Sequence, residues 1–331
     1  MRLERRRLLA LTGAAAMGVL AGCSDNGDDD DDGTGPEGAD VESLELPSYS
    51  RWLVADDDGE FVYGYLDWAS IEEAEEDVDE PFSEDELEAD PMLGYPLIGG
   101  FAVSMALGFG LTGFGLDGLL EDGADAEFDS RVHELLFVGE TSVVTGDVDT
   151  DEIDELLTDD TSSLAPPFEP TDEIGEYDVY TSEMDDSSAI AVGADGLVFA
   201  TAVDDPVGTI RPTLEAVTDD GDRATDGSED AAWLVATGGA GLMVLGAYGT
   251  PDDLEDEEPV EEEAEELSWD ELDDAAGIVA SLSPSSSETT GSFAAIVEDP
   301  DAEALEGLLG STATEASVEI GGDRVSATAS W

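Results

Sequence analysis

Short runs of alternating apolar and polar residues recur along this chain, and most of them come in pairs joined by glycine. In the first half Phe61 to Leu66, Glu134 to Val138, Ser142 to Val148, Ala189 to Val192 and Leu197 to Val203 read as strands. In the second half Leu242 to Ala247, Gly277 to Leu282, Ser292 to Val297, Ala316 to Ile320 and Arg324 to Ser330 read the same way. Trp52 to Ala55 and Trp233 to Ala236 read as two further strands, each followed by a turn, Asp57-Asp58-Gly59 and Gly238 to Gly241. Ser142 to Val148 and Ser292 to Val297 each run through aspartates into a segment ending in paired leucines, Leu156-Leu157 and Leu308-Leu309. These segments read as helices: Asp and Thr side chains accept from the first free N–H groups, and acidic residues suit the positive end of the helix dipole. Val207 to Val217 reads as a helix as well. The modules follow one another in the same order in both halves, which predicts an α+β fold. The expected form is two tandem repeats of antiparallel sheet, built from hairpins with helices on one face, over residues 46–225 and 228–331.

One segment has no counterpart in the other half. Met92 to Leu116 carries no charge over 25 residues, within an insert at 92–120, where the second repeat has the acidic run Glu255 to Glu266. Its length would cross a bilayer. Seven glycines and Pro96 weaken it as a spanning helix, and no basic residue flanks it to fix an orientation. A buried or partly exposed helix pair is the expectation, with a membrane-dipping element as the alternative, and the insert is the best candidate for a partner surface or a membrane-facing patch. Gly108, Gly110 and Gly113 fit the spacing of a dinucleotide-binding loop, but the surrounding hairpins are not the strand–helix–strand unit that such a loop requires.

Charge changes the picture next. The chain holds 86 acidic residues against nine basic ones, all arginine, for a net charge of −77. Such self-repulsion opposes compaction in dilute buffer and is screened in molar salt, where the Debye length is about 3 Å. Acidic clusters therefore say little about ligands here. Nucleic-acid binding is excluded, because phosphate contacts need a basic patch.

The first residues have a different character. Arg5, Arg6 and Arg7 precede Leu8 and Leu9, and an apolar run continues to Leu20-Ala21-Gly22-Cys23. A basic start, a short apolar run and small residues before a cysteine make a twin-arginine signal over residues 1–22, with a lipoprotein cleavage box and Cys23 as the lipidated residue. Removing that signal takes away four arginines and one glutamate, leaving about −80. Residues 23–45, with five consecutive aspartates from Asp28 to Asp32, read as a disordered acidic tether. The Arg5–Arg7 signal, the Cys23 box and the acidity together resemble the haloarchaeal lipoproteins exported by the twin-arginine route. That resemblance implies an extracellular, lipid-anchored protein on the cell membrane.

Chemistry is sparse. His133 is the only histidine and Cys23 the only cysteine, so a multi-histidine metal site is excluded and a Ser–His–acid triad would have to use His133. No lysine is present for Schiff-base chemistry. Trp52, Trp68, Trp233, Trp269 and Trp331 could line a cleft, though tryptophans at strand positions are usually core. The Asp147 to Asp151 loop lacks the glycine and terminal glutamate of an EF-hand and reads as a helix cap. No residue is assigned to catalysis, to a cofactor or to a metal. The expected function is a non-enzymatic binding or structural module of a halophile envelope, with the lipid anchor and an envelope protein or permease as partners. The alternatives are the solute-binding component of a transporter and a secreted hydrolase.

Overall fold

The computed structural model describes residues 44–74, 82–120, 128–158, 167–182, 184, 186–218, 221–249, 269, 271–285 and 288–331. The export signal, Cys23, nearly all of the acidic tether and the run 255–266 lie outside the described residues.

Twelve antiparallel strands form one sheet. They are β1 (Phe61–Asp67), β2 (Arg131–Val138), β3 (Thr141–Asp147), β4 (Glu169–Ile174), β5 (Tyr177–Thr181), β6 (Ala189–Gly193), β7 (Gly196–Ala200), β8 (Met243–Tyr248), β9 (Ala275–Ser283), β10 (Thr290–Val297), β11 (Glu315–Gly321) and β12 (Arg324–Ser330). Their order across the sheet is β11-β12-β10-β9-β8-β1-β2-β3-β7-β6-β5-β4. At the centre β1 pairs with β8, Tyr63 opposite Gly246 and Tyr65 opposite Val244. Outward from that seam, one side runs β1-β2-β3-β7-β6 and the other β8-β9-β10-β12-β11. The hairpin β4–β5 extends the first side alone. Segments 46–225 and 228–331 thus share a single hydrogen-bonded sheet.

The expected α+β class holds, with strands predominantly where alternation places them, but two runs expected as strands are not: Leu53 to Ala55 follow a 3-10 turn as irregular chain, and Trp233 to Ala236 are helical. Ser48–Trp52 is a short 3-10 turn, and Trp233 sits in an α-helix, Glu229–Gly238. The second case has a clear local cause. Ser228 accepts from the Ala231 N–H, Glu229 and Asp230 occupy the first turn, and Ala231, Leu234 and Val235 bury a helical face. Four apolar residues in a row fit strand and helix alike.

The helices do not share one face, as the sequence pattern suggested. The described helices are α1 (Trp68–Ala74), α2 (Glu84–Ala89), α3 (Pro91–Phe114), α4 (Thr150–Thr158), α5 (Pro206–Val217), α6 (Ala224–Gly227), α7 (Glu229–Gly238) and α8 (Ala302–Leu308). On one face Tyr63, Leu136, Val198 and Val244 pack with Ile210 and Leu214 of α5 and Leu234 and Val235 of α7. On the other Leu66, Leu135, Phe199 and Met243 pack with Leu93, Val103, Leu107 and Leu111 of α3 and Ile153 of α4. Leu135 and Leu136, adjacent in β2, point to opposite cores. A sheet buried on both sides needs apolar residues in consecutive positions, and the strands supply them: all five residues of β6 and of β7 are buried.

The insert forms one continuous helix, α3, not a pair. Asp90 caps its start, and Gly115 ends it in the left-handed conformation at φ 73°. Gly99 permits the close approach to β8: a Cβ there would lie 2.8 Å from Leu245 Cβ and 2.9 Å from the Val244 carbonyl oxygen.

Helix α4 is tied to the sheet through polar contacts. The Glu152 carboxylate accepts from the Asp129 N–H (2.8 Å), the Ser130 N–H (3.0 Å) and the Ser130 hydroxyl (2.7 Å). Ser130 Oγ in turn accepts from the Asp149 N–H, and Asp149 caps α4. Partial burial pushes the Glu152 carboxyl up, but these bonds and the Arg131 charge outweigh it and hold the group below the usual glutamate value. A depressed carboxyl stabilises the native state above its unfolded pKa, and that contribution is lost as pH falls through the folded value. Glu152→Gln should therefore cost about 1–2 kcal/mol at neutral pH. The deficit should close as pH falls below the glutamate range, which urea unfolding at the two pH values measures.

Candidate functional site

Two surfaces stand out. The first is a cleft of about 390 Å³ at the end of the central strands. Its floor is apolar, from Val54, Phe61 and Val138, and Asp56, Glu140 and Pro212 are exposed at its rim. Turns shape it. Gly139 (φ 52°) donates its N–H to Val62, and Gly249 (φ 100°) donates to Ala276. Thr141 Oγ1 donates to the Thr209 carbonyl at 3.2 Å, which holds α5 as one wall. Tyr248 forms another wall, with its ring 5.9 Å from that of Phe61 and its hydroxyl accepting from Ser228 Oγ at 3.0 Å. An apolar floor of this kind suits a small molecule with an apolar face.

The second surface is the outward side of α3. Ile98, Phe101 and Phe109 are exposed there, Phe109 by 71%. Ala102 and Met105 lie between them, half-buried, and no charge interrupts the face. The opposite side of the same helix buries Val103, Leu107, Gly110 and Leu111 against the sheet. The helix is thus apolar all round, although the sheet covers only one side. Gly108, Gly110 and Gly113 lie within this helix, so the glycine spacing forms no phosphate loop, and Gly110 packs against the Phe199 ring.

A tyrosine cluster sits between the sheet and the chain's entry into the fold. Tyr49 stacks on Tyr65 with ring centroids 4.4 Å apart and lies tilted against Tyr63 at 5.6 Å. Tyr49 donates to the Gly239 carbonyl at 2.9 Å, and Tyr65 donates to Glu134 Oε1 at 3.0 Å. Glu134 also accepts from Ser48 and Thr145. Burial pushes the Tyr49, Tyr63 and Tyr65 hydroxyls up, well beyond their ordinary range, so they remain protonated donors. This is a structural network linking residues 48–49 to β1, β2 and β3.

His133 projects from β2 and lies 3.6 Å from Asp147 across the hairpin, both side chains largely exposed. Four of the tryptophans make separate contacts. Trp52 packs edge-on to Tyr177, Trp269 against Tyr95 and Trp331 against Phe82, while Arg324 covers Trp233. Asp149, Asp205 and Asp301 cap helices, as their sequence context suggested. Among the described residues no group of three or more His, Cys, Asp or Glu stands close enough to hold a metal ion.

No known family model matches the sequence, and no curated protein compared with it matches either. Among solved structures it is similar to crystal form I of TP0453, at 9% identity and a TM-score of 0.43, over 87% of this chain and 93% of that one. Crystal form III of the same protein gives 9% identity and a TM-score of 0.42, over 88% and 95%.

Proposed function

We propose that this chain is a cell-envelope lipoprotein of a halophile, exported by the twin-arginine route and held on the outer face of the cell membrane through Cys23. The observation that carries this reading is the N-terminal succession of Arg5-Arg6-Arg7, a short apolar run and Leu20-Ala21-Gly22-Cys23. The acidity supports a high-salt habitat. Anchored in this way, the twelve-stranded sheet acts as a non-enzymatic binding or structural module, and its partners are membrane lipid and an envelope protein or permease. The matched strand order on the two sides of the β1–β8 seam supports an internal duplication, with 46–225 and 228–331 as its copies. Residues 23–45 serve as the tether.

Cys23→Ser should remove the lipid and move most of the protein from washed membranes to the medium or soluble fraction. Fractionation followed by immunodetection measures this, and retention of the variant in salt-washed membranes would contradict the anchor. The cleft bounded by Phe61, Val138 and Tyr248 favours a second reading, the solute-binding component of a transporter. A permease recovered in stoichiometric amount with the protein, purified at native salt, would decide for it.

A further inference from the structure

We infer that the outward face of α3 docks in the plane of the lipid surface to which Cys23 tethers the chain. The inference rests on the lipoprotein reading for its membrane and on the geometry of α3 for its contact.

Ile98, Phe101, Ala102, Met105 and Phe109 recur at intervals of one, three and four residues along α3, so they form one stripe over roughly three turns of helix. Phe109, Phe101 and Ile98 account for three of the five large apolar side chains exposed among the described residues. A stripe of this kind on a chain of net charge −77 is the part of the surface where water is held least.

What the stripe lacks decides its occupant. Specific protein interfaces carry about one hydrogen bond per 100–200 Å². The hydroxyls that flank the stripe within its span are engaged with the helix itself, Ser104 donating to the Gly100 carbonyl at 2.8 Å and Thr112 to the Gly108 carbonyl at 2.7 Å, while the Tyr95 ring, a turn earlier, packs on Trp269. The stripe offers apolar atoms without polar or charged groups to orient a protein. A hydrocarbon surface needs neither hydrogen bonds nor counter-charge.

The helix lies in the interface and does not cross it. Its inner side carries Leu107, Leu111 and Phe114 into the core, and Gly99 and Gly110 are fitted against Leu245 and Phe199. Withdrawing it to span a bilayer would open that core to water. An interfacial helix usually turns a polar side to water; here the sheet covers that side.

The tether has the reach. Tyr49, near the start of the described chain, packs on the face of the sheet opposite α3. Twenty residues lie between Cys23 and Leu44, a contour of at most about 75 Å. One helix layer on each side of a sheet makes a body about 30 Å thick. The lipid on Cys23 can therefore enter the bilayer on the α3 side.

The test uses Phe109→Cys in the full, lipidated chain. Once Cys23 is a thioether, the new thiol is the only one, and Met184→Cys provides an exposed control remote in sequence. Both are reacted in salt-washed membranes with a membrane-impermeant maleimide. They are then labelled with an environment-sensitive fluorophore after reconstitution into phosphatidylcholine vesicles at molar salt. Docking predicts at least about tenfold slower labelling at position 109 than at 184, and a blue-shifted emission at 109 alone in vesicles. Equal reactivity in membrane-held protein overturns the docking and leaves the lipoprotein reading standing. Protection in native membranes that is lost in pure vesicles assigns the face to a protein partner and overturns it as well. If the protein is recovered as soluble and Cys23 reacts too, the anchor fails. Adding Cys23→Ser/Phe109→Cys protein to the same vesicles then decides the docking alone: a blue shift supports it and its absence overturns it.

Discussion

Transfer from molar salt into about 0.1 M salt at neutral pH should unfold this protein. The Debye length grows from about 3 Å to about 10 Å over that change, so carboxylates that were screened from their neighbours come to repel one another. Little in the fold opposes this. Arg211–Asp172 at 3.0 Å, Arg324–Asp230 at 2.8 Å and Arg51–Asp195 at 3.7 Å are surface pairs, each worth at most about 1 kcal/mol. The repulsion is spread over 86 acidic residues, whereas ordinary domains are stable by about 5–15 kcal/mol. Loss of the whole margin is therefore the expected outcome. Far-UV circular dichroism and tryptophan emission across a potassium chloride series would show a cooperative loss of structure below roughly molar salt. The cause can be separated from a specific ion requirement. Mild acidification at low salt removes carboxylate charge and should restore part of the signal, whereas a bound-ion requirement would not respond in that direction. A thermal midpoint unchanged between molar and 0.1 M salt would mean that the surface charge is already balanced locally.

Local pattern went far in this chain, and it failed where the missing information is three-dimensional. Alternation with glycine turns located ten of the strands, because a pleated strand leaves its mark residue by residue. The hairpin β4–β5 escaped, since its first strand, Glu-Pro-Thr-Asp-Glu-Ile, is almost wholly exposed and shows no apolar period. Trp233 to Ala236 misled, because four apolar residues in a row carry no period at all. The assignment of helices to one face failed for a related reason. Leu135-Leu136 and the all-buried β6 and β7 mark a sheet covered on both sides, but runs this short give the same sequence as a half-exposed strand with an extra apolar residue.

The candidate surfaces were unequally legible. The insert at 92–120 was visible from the freedom from charge of Met92 to Leu116 alone. Which of its residues face outward was not, because α3 is apolar on both sides and only the position of the sheet separates Phe109 from Leu107. The cleft had no sequence signal at all. Its walls come from four separated stretches, near residues 54–62, 138–141, 209–212 and 247–249, and only the fold brings them together.

Asp90→Ala should cost about 3–5 kcal/mol, the largest loss expected from a single substitution of a polar side chain here. Asp90 is buried, and one carboxylate serves two halves of the chain. Its Oδ1 accepts from the Met92 N–H at the start of α3 and from the Gly310 N–H beyond α8, both at 3.1 Å. Its Oδ2 accepts from the Thr312 N–H at 3.3 Å and the Thr312 hydroxyl at 3.0 Å. Thr312 Oγ1 in turn accepts from Trp331 Nε1, so the last residue of the chain is fastened through the same group. Truncation removes a helix cap and strands the buried N–H groups of Met92 and Gly310, and each unsatisfied buried donor costs about 1–3 kcal/mol. The pH dependence distinguishes this clamp from the Glu152 one. Burial pushes the Asp90 carboxyl up and its four hydrogen bonds only partly offset this, leaving it above the usual aspartate value. A raised carboxyl binds its proton more tightly in the native state. The wild type therefore gains stability from this group as pH falls through its folded value, and the gain is complete below the unfolded one. Asp90→Asn keeps one acceptor and cannot titrate, so its deficit relative to wild type should widen as pH falls through the aspartate range, the opposite of Glu152→Gln. Urea unfolding of the two variants at neutral pH and in mild acid, at constant molar salt, gives both slopes. Parallel slopes would mean that Asp90 ionises in the fold as freely as it does in the unfolded chain, and that the clamp is held by packing of α3 against α8.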